Sequence, residues 1–290
     1  MNAIHDVIAH VNDSPDSAGV LRIAMAVASE HGARLSAVYA VDPTPLGAFI
    51  SAEAAAVAEQ VSVQERRERE LRARAGAEPL LGGAPLTVEH GEALQALTAR
   101  SLSADLLVVA QGQDAPPAGH GRELPEKLLM AAGCPLLIVP RQMSGRKGAL
   151  PSAGHRVLVA WAPKRECARA LRDALPLLQR AAAVELLHMG GESPRTAPLL
   201  MATQAHLQRH GVACTLQRHE IPVADAVDRV QRDTGADAQV AHGVLLRAAE
   251  IDADLVVMGG YGRPRALEWI LGGVTRSMLR AMNVPLLMAH

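Results

Sequence analysis

Short apolar runs alternate along this chain with longer stretches whose apolar residues recur every three or four positions. The first run, Val7 to Val11, leads through a polar turn into a helix-period stretch from Ala18 to Gly32. A β-like run follows at Arg34 to Val41, then a polar-faced helical stretch from about Glu53 to Ala75, and a third run at Leu86 to His90. Another helix, the apolar core of ADLLVVAQGQ, a last helix and a terminal strand complete the set. Continuous apolar runs bury as strands, whereas a 3.6-residue period buries one face of a helix. Strands alternating with helices predict βαβ units, and therefore a parallel sheet covered by helices on both faces.

The same order is then written a second time. DVIAHVNDS begins at residue 6 and RVLVAWAPK at 156; ADLLVVAQGQ begins at 104 and ADLVVMGGYG at 253; GCPLLIVP begins at 133 and NVPLLMAH at 283. The offsets are 149 or 150 residues, so one fold is present in two copies. In the second copy the predicted strands are Val157 to Trp161, Val184 to Met189 and Ala213 to His219, with helices at Ala168 to Ala181 and Pro198 to His210. Its third helix, within DRVQRDTGADAQVAHGVLLRAAE, is longer than EALQALTARSLS of the first copy. The excess around Gly235 to Gly243 reads as a loop or a helical insertion. The stretch QMSGRKGALPSAGH has the Gly, Ser and Pro content of a linker. The expected division is a first domain over 1–142, a linker over 143–154 and a second domain over 155–290.

Composition narrows the function. Apolar residues make up 49% of 290, enough for two packed cores, while aromatics are only 2%, too few to stack single-stranded bases. Lys and Arg (29) balance Asp and Glu (30), so no net field gathers nucleic acid or anionic lipid. The longest uncharged apolar stretch, LLMAAGCPLLIVP, is too short to span a bilayer. The amino-terminal residues have no secretion-signal pattern, and a cytoplasmic protein is expected. Cys134, Cys167 and Cys214 are widely spaced and odd in number, so they read as buried small hydrophobes or as thiols that stay reduced.

The chemistry concentrates in GGYGRPRALEWILGGVT, residues 259 to 275, where glycines follow a predicted strand and precede a helix. Such a loop aims backbone N–H groups and a helix dipole at an anion. With its flanking runs ADLVVM and NVPLLM, this segment resembles the carboxyl-terminal signature of the universal stress protein family, G-x2-G-x9-G-[ST]. Gly259, Gly262 and Gly272 match the three glycines, and Gly273 stands where the Ser or Thr is expected. The resemblance implies two tandem doubly wound α/β domains of Rossmann-like type, each with five parallel strands and helices on both faces. It further implies a non-catalytic stress-response protein that binds ATP in the second copy, with nucleotide-bound Mg as the only metal. Gly259, Gly262, Arg263, Gly272, Gly273, Val274 and Thr275 would hold the nucleotide. Family members pair through the last strand, here Leu136 to Val139 and Leu286 to Met288, which implies an intrachain pseudo-dimer; a homodimer of whole chains stays open.

Each copy departs from that pattern. In the second, Ala162 occupies the place of the acid that reaches the adenosine end. In the first, Asn12 and Asp13 keep a polar handle, but Ala110, Gln111, Gly112 and Gln113 replace the glycine loop. Two alternatives follow: a nucleotide-independent interaction scaffold, and an ATP-hydrolysing enzyme of the related adenine-nucleotide α-hydrolase group, whose SGGxDS-type loop is missing. No Ser/His/Asp order and no G-x4-G-K-[ST] loop supports an enzyme. Trp269 reads as packing beneath the glycine loop. His206 and His210 share a helix face and read as a solvated surface, as does the mixed-charge run QERRERELRAR.

Overall fold

The computed structural model describes residues 3–41, 52–112, 124–143, 153–191, 193–219, 229–261 and 273–290. The first copy runs β1 (Asp6–Val11), α1 (Asp16–His31), β2 (Arg34–Val41), α2 (Ala52–Ala77), β3 (Leu86–His90), α3 (Ala93–Ser101), β4 (Leu106–Ala110), α4 (Leu124–Ala131) and β5 (Leu136–Val139). The second runs β6 (Arg156–Trp161), α5 (Arg165–Leu178), β7 (Ala183–Met189), α6 (Thr196–Arg209), β8 (Thr215–His219), α7 (Arg229–Glu250), β9 (Leu255–Gly259), α8 (Gly273–Ala281) and β10 (Leu286–Ala289). The alternation read from the apolar pattern is therefore present in both copies. Boundaries move by one to three residues: α5 starts three residues before Ala168 and ends three before Ala181, α1 and α6 start two residues before Ala18 and Pro198, and β8 starts two residues after Ala213. The excess in the second copy is helical, since α7 runs unbroken for 22 residues where α3 has 9.

The ten strands of the described residues join one sheet in the order β3-β2-β1-β4-β5-β10-β9-β6-β7-β8. Pairing is parallel within each copy and antiparallel only at the seam, where Leu136, Leu137 and Ile138 face Met288, Leu287 and Leu286. The two terminal strands thus zip the copies together inside one chain. Both faces are covered, which is why the inner strands β4, β5, β9 and β10 are apolar throughout instead of alternating, whereas the edge strands β3 and β8 carry polar residues. Val7, Ala9 and Val11 of β1 lie in the core layer shared with α1 and α5, whereas Ile8 lies in the layer shared with α3, α4, α7 and α8.

The aspartate of the repeated ADL motif has a structural task in each copy. Asp105 accepts the backbone N–H groups of His5 and Asp6 at 2.7 and 3.0 Å. Asp254 does the same for Gly154, His155 and Arg156 at 3.2, 3.1 and 2.8 Å. Each carboxylate thereby fixes where the first strand of its copy enters the sheet.

Gln111, just beyond β4, reaches across the seam. Its Nε2 donates to the carbonyl oxygens of Leu279 and Arg280 at 2.7 and 3.2 Å, and its Oε1 accepts the N–H of Arg141 at 3.2 Å. The C-terminal carbonyls of α8, which lack partners within their helix, are capped by the other copy. Gln111→Ala is expected to cost about 2 kcal/mol, because a buried amide leaves its partners unpaired. A urea midpoint unchanged from the parent would contradict this assignment.

Among the described residues no helix is long and apolar enough to cross a membrane.

Candidate ligand site

Within each copy the chain runs outward from the first strand in both directions, to β2 and β4 in one and to β7 and β9 in the other. Loops at the carboxyl ends diverge at such a switch point and leave a crevice. In the second copy this crevice is a cavity of about 190 Å³ between the ends of β6 and β9, the start of α5, α7 and the first turn of α8. Its wall is largely apolar, with Met189, Met258, Met278 and Trp161, and its polar lining includes Lys164, Glu166, Asp237 and Thr275.

The turn after β6 is tight: the N–H of Lys164 donates to the carbonyl of Ala162 at 2.7 Å. Ala162 lines the cavity without a polar atom on its side chain. Gly259 closes β9 against the start of α5. A Cβ placed there would lie 2.5 Å from the backbone nitrogen of Cys167 and 2.6 Å from the carbonyl carbon of Glu166. Strand and helix therefore touch through backbone, a contact only glycine permits.

Two residues on, Tyr261 has a φ of 54°, a left-handed conformation that non-glycine residues seldom adopt. Its N–H donates to Oγ1 of Thr275 at 3.2 Å, so the buried Thr275 hydroxyl ties the start of the loop to the first turn of α8. The Tyr261 ring is 8% exposed and its hydroxyl has no hydrogen-bond partner among the described residues. Burial, reinforced by the charge of Glu126, pushes that phenol above its ordinary pKa. Gly273 and Val274 stand at the start of α8 in the cavity wall. Gly262, Arg263, Gly272 and Trp269 lie outside the described residues.

The first copy uses its polar handle differently. Oδ1 of Asn12 accepts the N–H of Ser14 at 3.0 Å and the hydroxyl of Ser17 at 2.8 Å, the latter also receiving the N–H of Asn12. Asn12 is thus engaged within its own turn. Asp13 faces Arg72 at 3.4 Å, a solvent-exposed pair of small energetic weight.

The rings of His206 and His210 lie 4.5 Å apart, and no group of three His, Cys, Asp or Glu able to hold a metal occurs among the described residues. Partial burial and the neighbouring His210 hold His206 below its ordinary pKa. All three cysteines are free thiols; burial, with Asp105 and Asp173 behind it, pushes Cys134 up to about 12, and burial raises Cys167 and Cys214 as well. The run at 64–74 carries same-helix pairs such as Gln64 to Glu68 and Arg74 to Glu70 on an exposed face.

Asp237 and Tyr261 were not singled out by their spacing. Asp237 sits in the α7 extension, which the repeat comparison could detect but not place. Tyr261 lies inside the glycine loop, where a bulky residue with φ above zero marks a backbone held by its surroundings.

A doubly wound α/β sheet with a crevice at its switch point defines the class of protein. A scan of family models matches the universal stress protein family at residues 4–140 and again at 154–290, and the chain belongs to that family. Among solved structures, a universal stress protein from Archaeoglobus fulgidus aligns over 98% of this chain and 95% of its own, with 16% identity and a TM-score of 0.67. A protein of unknown function from Pseudomonas aeruginosa PAO1 aligns over 99% and 92%, with 15% identity and a TM-score of 0.53. One assigned to the same family from Pseudomonas aeruginosa UCBPP-PA14 aligns over 99% and 93%, with 16% identity and a TM-score of 0.54. These likenesses concern the fold. A search of curated proteins finds no match.

Proposed function

We propose that the second copy binds an adenine nucleotide, with ATP and its accompanying Mg the expected form, and that the protein acts in a stress response in the cytoplasm without turning the nucleotide over. One observation supports this above the others: the cavity lies at the switch point, with the start of α8 in its wall and the Thr275 hydroxyl tied to the loop through Tyr261. In this reading Gly259, Gly273, Val274 and Thr275 contact the ligand, and Gly262, Arg263 and Gly272 join them from the segment between. The apolar wall suits a purine, and a helix start suits phosphate.

The test is a thermal melt of the full chain with magnesium and millimolar ATP, paired with calorimetry. At a hundredfold excess over Kd, binding adds about 2.7 kcal/mol, which raises the melting temperature by roughly 4 °C. The absence of both a shift and a heat at that concentration would refute the reading.

A second reading, a nucleotide-independent interaction scaffold, is favoured by Ala162, which offers nothing to a ribose hydroxyl. Mass spectrometry of small molecules released from purified protein separates the two, because nucleotide carried through purification excludes the scaffold.

A further inference from the structure

We infer that Asp237 is a resident anion of the second copy's site, and that a phosphate-bearing ligand reaches the start of α8 only by displacing its carboxylate. This rests on the nucleotide reading above and adds how that site is controlled.

The geometry begins at Gly273, the first residue of α8. A Cβ built there would overlap a carboxylate oxygen of Asp237 and stand 2.8 Å from that residue's Cβ and Cγ. The acid is therefore seated flat against the helix start, in space that any residue other than glycine would fill. The same side chain lines the cavity beside Lys164 and Thr275. The first turn of a helix carries N–H groups without partners in the helix and the positive end of its dipole, so a carboxylate is favoured there for the reason a phosphate is. Two anions at one such position repel each other.

The delivery is peculiar to this copy. Asp237 stands in the extension that makes α7 22 residues long, whereas α3, in the same place in the first copy, has 9. The extension is anchored further along by Arg247, whose Nε and one terminal nitrogen donate to the two oxygens of Glu185 at 2.8 and 2.7 Å. The family pattern places a hydroxyl after its third glycine, and here that residue is Gly273. What reads as a lost phosphate ligand is the seat of the carboxylate.

The experiment is calorimetric titration of the full chain, parent and Asp237→Asn, with magnesium-ATP and with adenosine. Removing the charge while keeping the shape is expected to tighten ATP binding about tenfold or more, with adenosine changed less than about twofold. Gly273→Ser, which forces the carboxylate aside and supplies a hydroxyl, is expected to tighten ATP binding in the same direction and keeps the test decisive should Asp237→Asn fail to fold. Equal ATP affinity in parent and variants overturns the role of Asp237 and leaves the nucleotide reading standing. A parallel gain for adenosine also overturns it, since the acid would then merely fill space. Binding of neither ligand to any of the three proteins overturns both.

Discussion

Gly259→Ala is expected to lower the melting temperature of the full chain by roughly 4 °C, the scale of about 2.5 kcal/mol in a chain of this size. The new methyl group would lie 2.5 Å from the nitrogen of Cys167 and 2.6 Å from the carbonyl carbon of Glu166, both backbone atoms. No rotamer change relieves a clash with backbone, so β9 must part from α5. Overpacking of this kind costs about 1 to 3 kcal/mol or more, against which the stiffer unfolded chain returns about 0.4 to 1 kcal/mol. Gly260 is the internal comparison. Its added Cβ meets the side chain of Leu129, which can turn away, so Gly260→Ala is expected to cost about 1 kcal/mol. Differential scanning calorimetry of the two variants checks the ranking, and equal losses would refute the backbone contact at Gly259.

Arg247→Ala is expected to destabilise the chain by about 2 to 3 kcal/mol. The guanidinium grips Glu185 through two hydrogen bonds and adds Glu250 at 2.9 Å. These partners, Glu185 first, hold the arginine above its ordinary pKa. Glu185 lies on β7 beneath α7 with its side chain 11% exposed, so losing its partner strands a nearly buried carboxylate. Breaking a fully buried pair costs about 3 to 5 kcal/mol; the arginine here is 30% exposed, and water entering the gap reduces that figure. The double variant Glu185→Leu, Arg247→Met is expected to recover most of the loss, because no charge then remains buried. Chemical denaturation of the two singles and the double gives the coupling directly, and simple additivity would argue against the pair.

The legible parts of this protein are those where local pattern and final environment agree. A parallel sheet buried on both faces demands unbroken apolar strands, and runs such as Leu106 to Ala110 and Leu255 to Gly259 announce it. The repeated ADL motif was visible as a repeat, but the task of Asp105 and Asp254 was not, since each holds a strand entry about 100 residues away in sequence. Glycine at 259 was legible as a need for close approach, while its neighbour is the backbone of α5, with the ligand cavity alongside. Asn12 read as a polar handle toward a ligand, although the serines at 14 and 17 that engage it were already in view. Asp237 was beyond reach for another reason: it meets Gly273 through the packing of α7 on α8, and no local spacing encodes that meeting.

Gln111 and Gly260 occupy the same place in the two copies, each accepted by the terminal strand beside it, at Val139 and Ala289. One carries a long amide that caps a helix across the seam; the other carries no side chain and packs against Leu129. In an assembly of two identical chains a single codon would have to satisfy both demands. Joining the copies on one chain removes that conflict, so the halves are free to specialise: one becomes a brace, and the other keeps the crevice.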